Sequence, residues 1–463
     1  ELDETVDVVL LDRRMPDISG DDVLAVTQAA LDSLTDGRDW RETVLVASPG
    51  TATGEVDRLS IPSYTVLDMP YRVHVPEGSG VEYVAYAEDA HDFDIPRLSV
   101  TGAPFIAARL RGVQRVTVGD FRYVADPDAD TDDGLRFDNL GDVKCEDVRL
   151  GRAYVEDSDN HGVETVQVHR FQAQQIIGNS TDGCACLLNT TTDATVNSVI
   201  GYDPGRPDDQ YATFRLANGN QNISVGQVVS RGGYGRGLAI ITDAQRVSIG
   251  EVEITDPGLS GIQLVDAADV TIGGGVVRNP GGHGVNIYSL NSDPPNENIT
   301  ITDLRVMDDR EETEMEYAIN ETGDSSNNRF VDNDLDAGTS GVINVGSPTT
   351  VVRDNTGGGL DEGTVTLASG AEPAARVEGV DSTGAAALSA RVQPTGAPGG
   401  AASWESRFEW DPDDEEWDMV LAWASDPGSD LEASYIVDRD QPNLQGVETG
   451  PPSEWNPGEV SEE

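Results

Sequence analysis

Seven segments of this chain align on one small residue, and a repeat of that length leaves few folds open. They are Gly134-Leu-Arg-Phe, Gly162-Val-Glu-Thr, Gly183-Cys-Ala-Cys, Thr213-Phe-Arg-Leu, Gly237-Leu-Ala-Ile, Gly261-Ile-Gln-Leu and Gly284-Val-Asn-Ile, spaced 21 to 30 residues apart. Self-similarity at such a period marks a solenoid, in which each repeat adds one unit to a stack. The small residue is followed by an apolar residue or Cys, then a mostly polar one, then a mostly apolar one. That period of two belongs to a strand with one face buried.

A second series falls between these segments: Gln114-Arg-Val-Thr-Val-Gly, Asp147-Val-Arg-Leu-Gly, Gln221-Asn-Ile-Ser-Val-Gly, Gln245-Arg-Val-Ser-Ile-Gly, Ala268-Asp-Val-Thr-Ile-Gly and Glu297-Asn-Ile-Thr-Ile-Thr. Two or three short strands in each turn of about two dozen residues, with no helical periodicity between them, predict a right-handed parallel β-helix. Leucine-rich or ankyrin repeats need a helical or 3₁₀ segment or an Asn ladder, and the sequence offers neither. The register places Val163, Phe214, Leu238, Ile262 and Val285 in one inward column, and Cys184 and Cys186 inward together on another rung.

The regions around the solenoid differ in kind. A helix is expected from about Asp21 to Leu34, its stripe of Val23, Leu24, Val26, Ala30, Leu31 and Leu34 covering the open end of the stack. The expected divisions are an N-terminal segment with this capping helix (1–41), the β-helix (42–366), a Gly/Ala/Pro-rich linker (367–402) and a Trp-rich β module with an acidic tail (403–463). Five of the six tryptophans, Trp404, Trp410, Trp417, Trp423 and Trp455, lie in the last region, where they serve either as core or as faces for sugar rings. The fold class is therefore all-β, a single-stranded right-handed parallel β-helix with a capping helix and a small C-terminal β module.

Charge narrows the partners. With 84 acidic against 30 basic residues the formal net charge is −54, and Lys144 is the one lysine. A carboxylate coat suits a protein working in concentrated salt, where self-repulsion is screened; the expected setting is the outside or surface of a halophile's cell. The same charge opposes nucleic acid and anionic membranes. No apolar run is long enough to span a bilayer. Cys145, Cys184 and Cys186 make no disulfide framework and suit a core better than a metal site. No cofactor or metal is expected, and the chain is read as a monomer acting on a polysaccharide.

Function is sought in the outward columns, because neighbouring rungs lie about 4.8 Å apart and form ladders along a surface suited to an extended polymer. Two positions past the small residue the alignment reads Arg136, Glu164, Ala185, Arg215, Ala239, Gln263 and Asn286; just before it come Asp133, His161, Asp182, Ala212, Arg236, Ser260 and His283, with Tyr211 and Arg231 in adjoining loops. Arginines are scarce in this chain, and their concentration here predicts a site for an acidic sugar polymer. Arg136, Arg215, Arg231, Arg236 and His283 would bind carboxylates; Glu164, His161, Asp182 and Tyr211 are the acid and base candidates.

Certain motifs carry family resemblances. The array Asp138-Asn-Leu-Gly-Asp142, His161-Gly-Val-Glu-Thr165, Gly183 to Asn189, Tyr211 to Asn218 and Arg231-Gly-Gly-Tyr-Gly-Arg-Gly237 resembles secreted pectate-lyase-like β-helix proteins of fungi, bacteria and haloarchaea, over roughly residues 40–340. That resemblance implies polysaccharide cleavage by hydrolysis or β-elimination. Asn179-Ser-Thr-Asp-Gly183, Asp208-Asp209 and Gly282-His-Gly284 are similar to polygalacturonase motifs, but their rung spacing departs from that pattern and a single lysine at 144 leaves no Arg-x-Lys. Val6 to Pro16 with Ser19-Gly20 resembles a fragment of a response-regulator receiver domain, with Asp12 at its phosphate-acceptor position. Three readings follow: β-elimination on a uronate glycan, slightly favoured; hydrolysis by Glu164 and Asp182; and a non-catalytic glycan-binding or adhesin-like surface protein.

Overall fold

A computed structural model describes residues 8–11, 22–207, 211–290, 296–347, 349–356, 362–368, 370–371, 373–381, 388–394, 403–411, 416–425 and 430–439. It is a right-handed parallel β-helix whose register passes unbroken through Leu135, Val163, Cys186, Phe214, Leu238, Ile262, Val285 and Ile319. All eight side chains are buried in one core running along the axis. The small residue before each has a steric reason. A Cβ at Gly134, Gly237, Gly261 or Gly284 would strike the core side chains of Val155, Ile254, Val277 or Val306 at 2.3 to 2.6 Å.

One rung departs from the sequence alignment by two residues. Ala185, not Gly183, holds the small-residue position, since the Val163 N–H donates to the Ala185 carbonyl at 3.0 Å. Cys186 points inward as expected, whereas Cys184 lies on the outer face beneath Leu187, Ala217 and Tyr211. Gly183 answers to a different contact: a Cβ there would meet His161 Nδ1 at 2.4 Å.

The second series marks a corner between sheets. Its second residue adopts a left-handed conformation in rung after rung: Arg115, Asn222, Arg246, Asp269 and Asn298 have φ between 54° and 59°. Asn and Asp tolerate this region because their short polar chains bond locally. The arginines are tied down by partners one rung away, Arg115 on Asp92 and Arg246 on Asn222 and Gln221. Asparagine stacking is also present, contrary to the sequence reading: buried Asn220, Asn333 and Asn355 bond the backbone of neighbouring turns. Asn333 and Asn355 stand on adjacent turns, 22 residues apart, beyond the segments that the sequence alignment covered.

The capping helix is Val23–Asp32, with Leu24, Ala30 and Leu31 buried. Its N-cap Asp22 accepts from the N–H groups of Leu24 and Ala25 with one oxygen, and from Thr53, Gly54 and Glu55 with the other. One carboxylate thereby fastens the cap to the first turn. Of the receiver-like stretch, Val8–Leu11 is a strand pairing in parallel with Thr43 to Val46, as a solenoid strand does; Asp12 lies outside the described residues.

At the other end, Glu362–Leu367 and Leu388–Pro394 pair antiparallel with Leu431–Arg439, and Ser403–Asp411, Glu416–Ser425 and Ala375–Asp381 form a separate three-stranded sheet. Two of these strands occupy the expected linker. Their partners are some forty residues away, beyond the reach of local turn signals, and small residues mask their alternation. Trp410 and Trp417 meet edge to face at 70°, not coplanar, and Trp417 packs with Met419 and Leu421.

Candidate functional site

The outer face of the sheet formed by Leu135–Asp138, Val163–Val166, Cys186–Asn189, Ala212–Ala217 and their continuations carries the arginines singled out above. Its central column runs Tyr86, Arg109, Arg136, Glu164, Leu187, Arg215, Ala239, Gln263, Asn286, Asn320, Asn344. Leu187 replaces the expected Ala185, the consequence of the two-residue shift. Because the small residue of each rung is turned inward at the corner, the residue before it faces out, and Asp133, His161, Cys184, Arg236 and His283 flank the column.

Three groups meet at its middle. Arg136 Nη1 contacts Glu164 Oε2 at 2.9 Å and Asp133 Oδ2 at 3.2 Å, so one guanidinium nitrogen bridges the two carboxyls. Burial, then the charge of Glu164 beside it, pushes Asp133 well above the usual carboxylate range; burial also raises Glu164, with Arg136 opposing. Both carboxyls thus hold a proton more readily than exposed ones do.

His161 is buried and accepts the Cys184 N–H at Nδ1, 2.9 Å away. An Nδ1 that accepts from an amide carries no proton, so the neutral ring bears its hydrogen on Nε2. Burial, then the charges of Arg215 and Arg136, brings its pKa down to about 3. His161 is thus a neutral donor whose one lone pair is already used. Its ring meets that of Tyr211 edge-on at 5.1 Å, and the Arg215 guanidinium lies 5.5 Å from the Tyr211 ring centre.

Arg215 itself has no acidic partner among the described residues, and its buried Nε donates to nothing there. Arg136 Nε and His283 Nδ1 are likewise unpartnered. Arg236, one rung on, is buried and donates to Gln263 Oε1, which lies beside Tyr288.

Two predicted site residues are elsewhere. Asp182 is a turn residue bound to Arg206 at 2.5 Å, and Arg231 pairs with Glu253 at the end of another sheet. Asp208-Asp209 lies outside the described residues. His283 sits four rungs from Cys184, against Asn320 at 3.3 Å and Glu316 at 3.7 Å. Sequence reasoning missed Arg109 and Asp138, which bond in fork fashion at 3.1 and 2.8 Å, and the stacked Tyr83 and Tyr86. The Arg109 and Tyr86 rungs carry Ala107 and Val84 where most later rungs have glycine, and Asp138 falls one residue past the four aligned positions of its segment. Among the described residues no cluster of side chains is arranged to hold a metal, and no helix is long and apolar enough to cross a membrane.

No family model and no curated protein matches the chain. Among solved structures it is similar to the A-module of the mannuronan C-5 epimerase AlgE4 of Azotobacter vinelandii, at 15% identity and a TM-score of 0.50 over 72% of this chain and 96% of that one. The A-module of AlgE6 from the same organism aligns at 14% and 0.46 over 73% and 95%, and tailspike protein 3 of bacteriophage CBA120 at 10% and 0.34 over 73% and 59%. The likeness is one of fold. With the AlgE4 A-module the β-helix is what is shared, and chemistry rests on the side chains above.

Proposed function

We propose that the chain is a carbohydrate-active enzyme acting on a uronate-containing polysaccharide, at the face centred on Arg215 and His161. The observation that carries this reading is Arg215: in a protein with 84 acidic residues, a guanidinium on an outer sheet face has no acid among the described residues bound to it. A sugar carboxylate fits that vacancy by fork geometry. The mannuronan-modifying A-module of the same fold lends support.

We favour β-elimination. Arg215 neutralises the uronate carboxylate and so acidifies the neighbouring C5–H; the Nε2–H of His161 donates to the oxygen on which charge develops. With Nδ1 of His161 occupied, the base falls to Tyr211. The Tyr211 phenolate takes the C5 proton, the C5 electron pair forms the C4–C5 double bond as the C4–O bond breaks, and the Tyr211 hydroxyl so formed returns that proton to the departing oxygen. Hydrolysis fits less well: it needs a second carboxyl across the sugar from Glu164, and the expected one, Asp182, is a turn residue bound to Arg206.

The test is incubation with a panel of uronate glycans, reading ultraviolet absorbance of an unsaturated uronate, reducing ends, and the configuration at C5. Absorbance lost in Arg215→Gln and Tyr211→Phe is the expected result. Reducing ends without absorbance would establish hydrolysis, inversion at C5 without cleavage would establish epimerisation, and binding without any product would leave a glycan-binding protein.

A further inference from the structure

Beyond Arg215 and Arg236 the outer face changes character. Its central column becomes Ala239, Gln263, Asn286, Asn320 and Asn344. The column on one side reads Ile241, Val265, Tyr288 and Thr322; on the other stand Ser260, His283 and Tyr317. Burial holds His283 below the ordinary histidine range, so it is uncharged at neutral pH. A quarter of this chain's residues are charged, yet four successive rungs of outer face show none in these columns. The amides form a continuous line: Asn320 Nδ2 donates to Asn286 Oδ1 at 2.9 Å, and Asn344 Nδ2 to Asn320 Oδ1 at 2.8 Å.

On the other side of Arg215 every arginine of the face is engaged. Arg136 is held by Asp133 and Glu164, and Arg109 and Arg111 share Asp138. A pyranose in an extended chain is about as long as one rung is tall. A homopolymer of uronates would therefore press a carboxylate against the amides at nearly every rung, desolvated and without a counter-charge, near the exposed Glu316. Neutral sugars place hydroxyls there, which amides satisfy as both donors and acceptors.

We infer that the substrate is a mixed polysaccharide, in which an isolated uronate occupies the Arg215 position and neutral sugars fill the amide-lined rungs from Gln263 to Asn344. This rests on the uronate reading above and narrows its substrate class away from homopolyuronates.

The experiment is calorimetric binding of two size-matched hexasaccharides to the full chain: one of uronates throughout, one with a single uronate flanked by neutral hexoses. Wild type, Arg215→Gln and Asn286→Arg are compared in the same salt. The mixed oligosaccharide is expected to bind at least about tenfold tighter. Arg215→Gln should weaken it, and Asn286→Arg should improve only the all-uronate ligand. Equal or tighter binding of the all-uronate ligand to wild type, with loss in Arg215→Gln, overturns this inference and leaves the uronate reading standing. Binding of neither ligand, or binding indifferent to Arg215→Gln, removes both.

Discussion

At the scale of single residues, His161 is defined by one hydrogen bond. The Cys184 amide fixes its tautomer, and burial beside two arginines keeps it neutral. The folded ring titrates near pH 3 while an unfolded one titrates near about 6.5. The unfolded chain therefore gains a proton that the folded chain refuses, and stability present at neutral pH is lost as pH falls through that window. Melting temperatures of wild type and His161→Gln at pH 7 and pH 4.5 check this: the wild type should lose more on acidification than the variant. In the same shell, Gly183→Ala should displace the imidazole, lowering kcat more than it changes KM, because a Cβ would lie 2.4 Å from Nδ1. An unchanged kcat would show that His161 has no part in turnover. Column arithmetic alone found Arg136, Glu164, Arg215, His161, Arg236 and His283 on one face. It misplaced Asp182 because turn residues follow no strand period; Arg231, expected in an adjoining loop, ends a strand of another sheet. It passed over Asp133 as a partner because the meeting of two carboxyls on one guanidinium depends on distances that spacing does not encode.

At the scale of elements, the strands were legible and their corners were not. Inward positions Val163, Phe214, Leu238, Ile262 and Val285 are all buried, since a period of two against a small residue fixes which face points in. The left-handed corners at Arg115 and Arg246 have no propensity signal, as arginine seldom adopts that conformation and does so here on neighbouring carboxylates and amides. The C-terminal strands were partly concealed because their pairing is antiparallel and long in sequence. The element most exposed to test is the cap. Asp22→Ala removes an N-cap and leaves amides at 53–55 without their acceptor. It should cost about 2 to 4 kcal/mol in a denaturant melt. Asp22→Asn should recover part of that, since one amide oxygen still accepts; equal stability of Asp22→Ala and wild type would mean the cap contributes nothing.

At the scale of the whole molecule, a charge of −54 must be offset by its surroundings. We expect a marked drop in melting temperature as salt falls from about 1 M, where screening acts within about 3 Å, to about 0.1 M, where it extends to about 10 Å. A melting curve indifferent to salt would remove the argument for a saline habitat. The rung-by-rung register has a further consequence, for descent rather than for chemistry. Each turn touches only its neighbours and meets them in the same strand register, so a duplicated turn inserts without disturbing the rest. Copying the turn that carries Gln263 would move Asn286 and everything after it about 4.8 Å farther from Arg215. The protein is in that sense a gauge with movable graduations, and its preference for the length of a glycan block is open to change by gene duplication in a way that a folded globule's pocket is not.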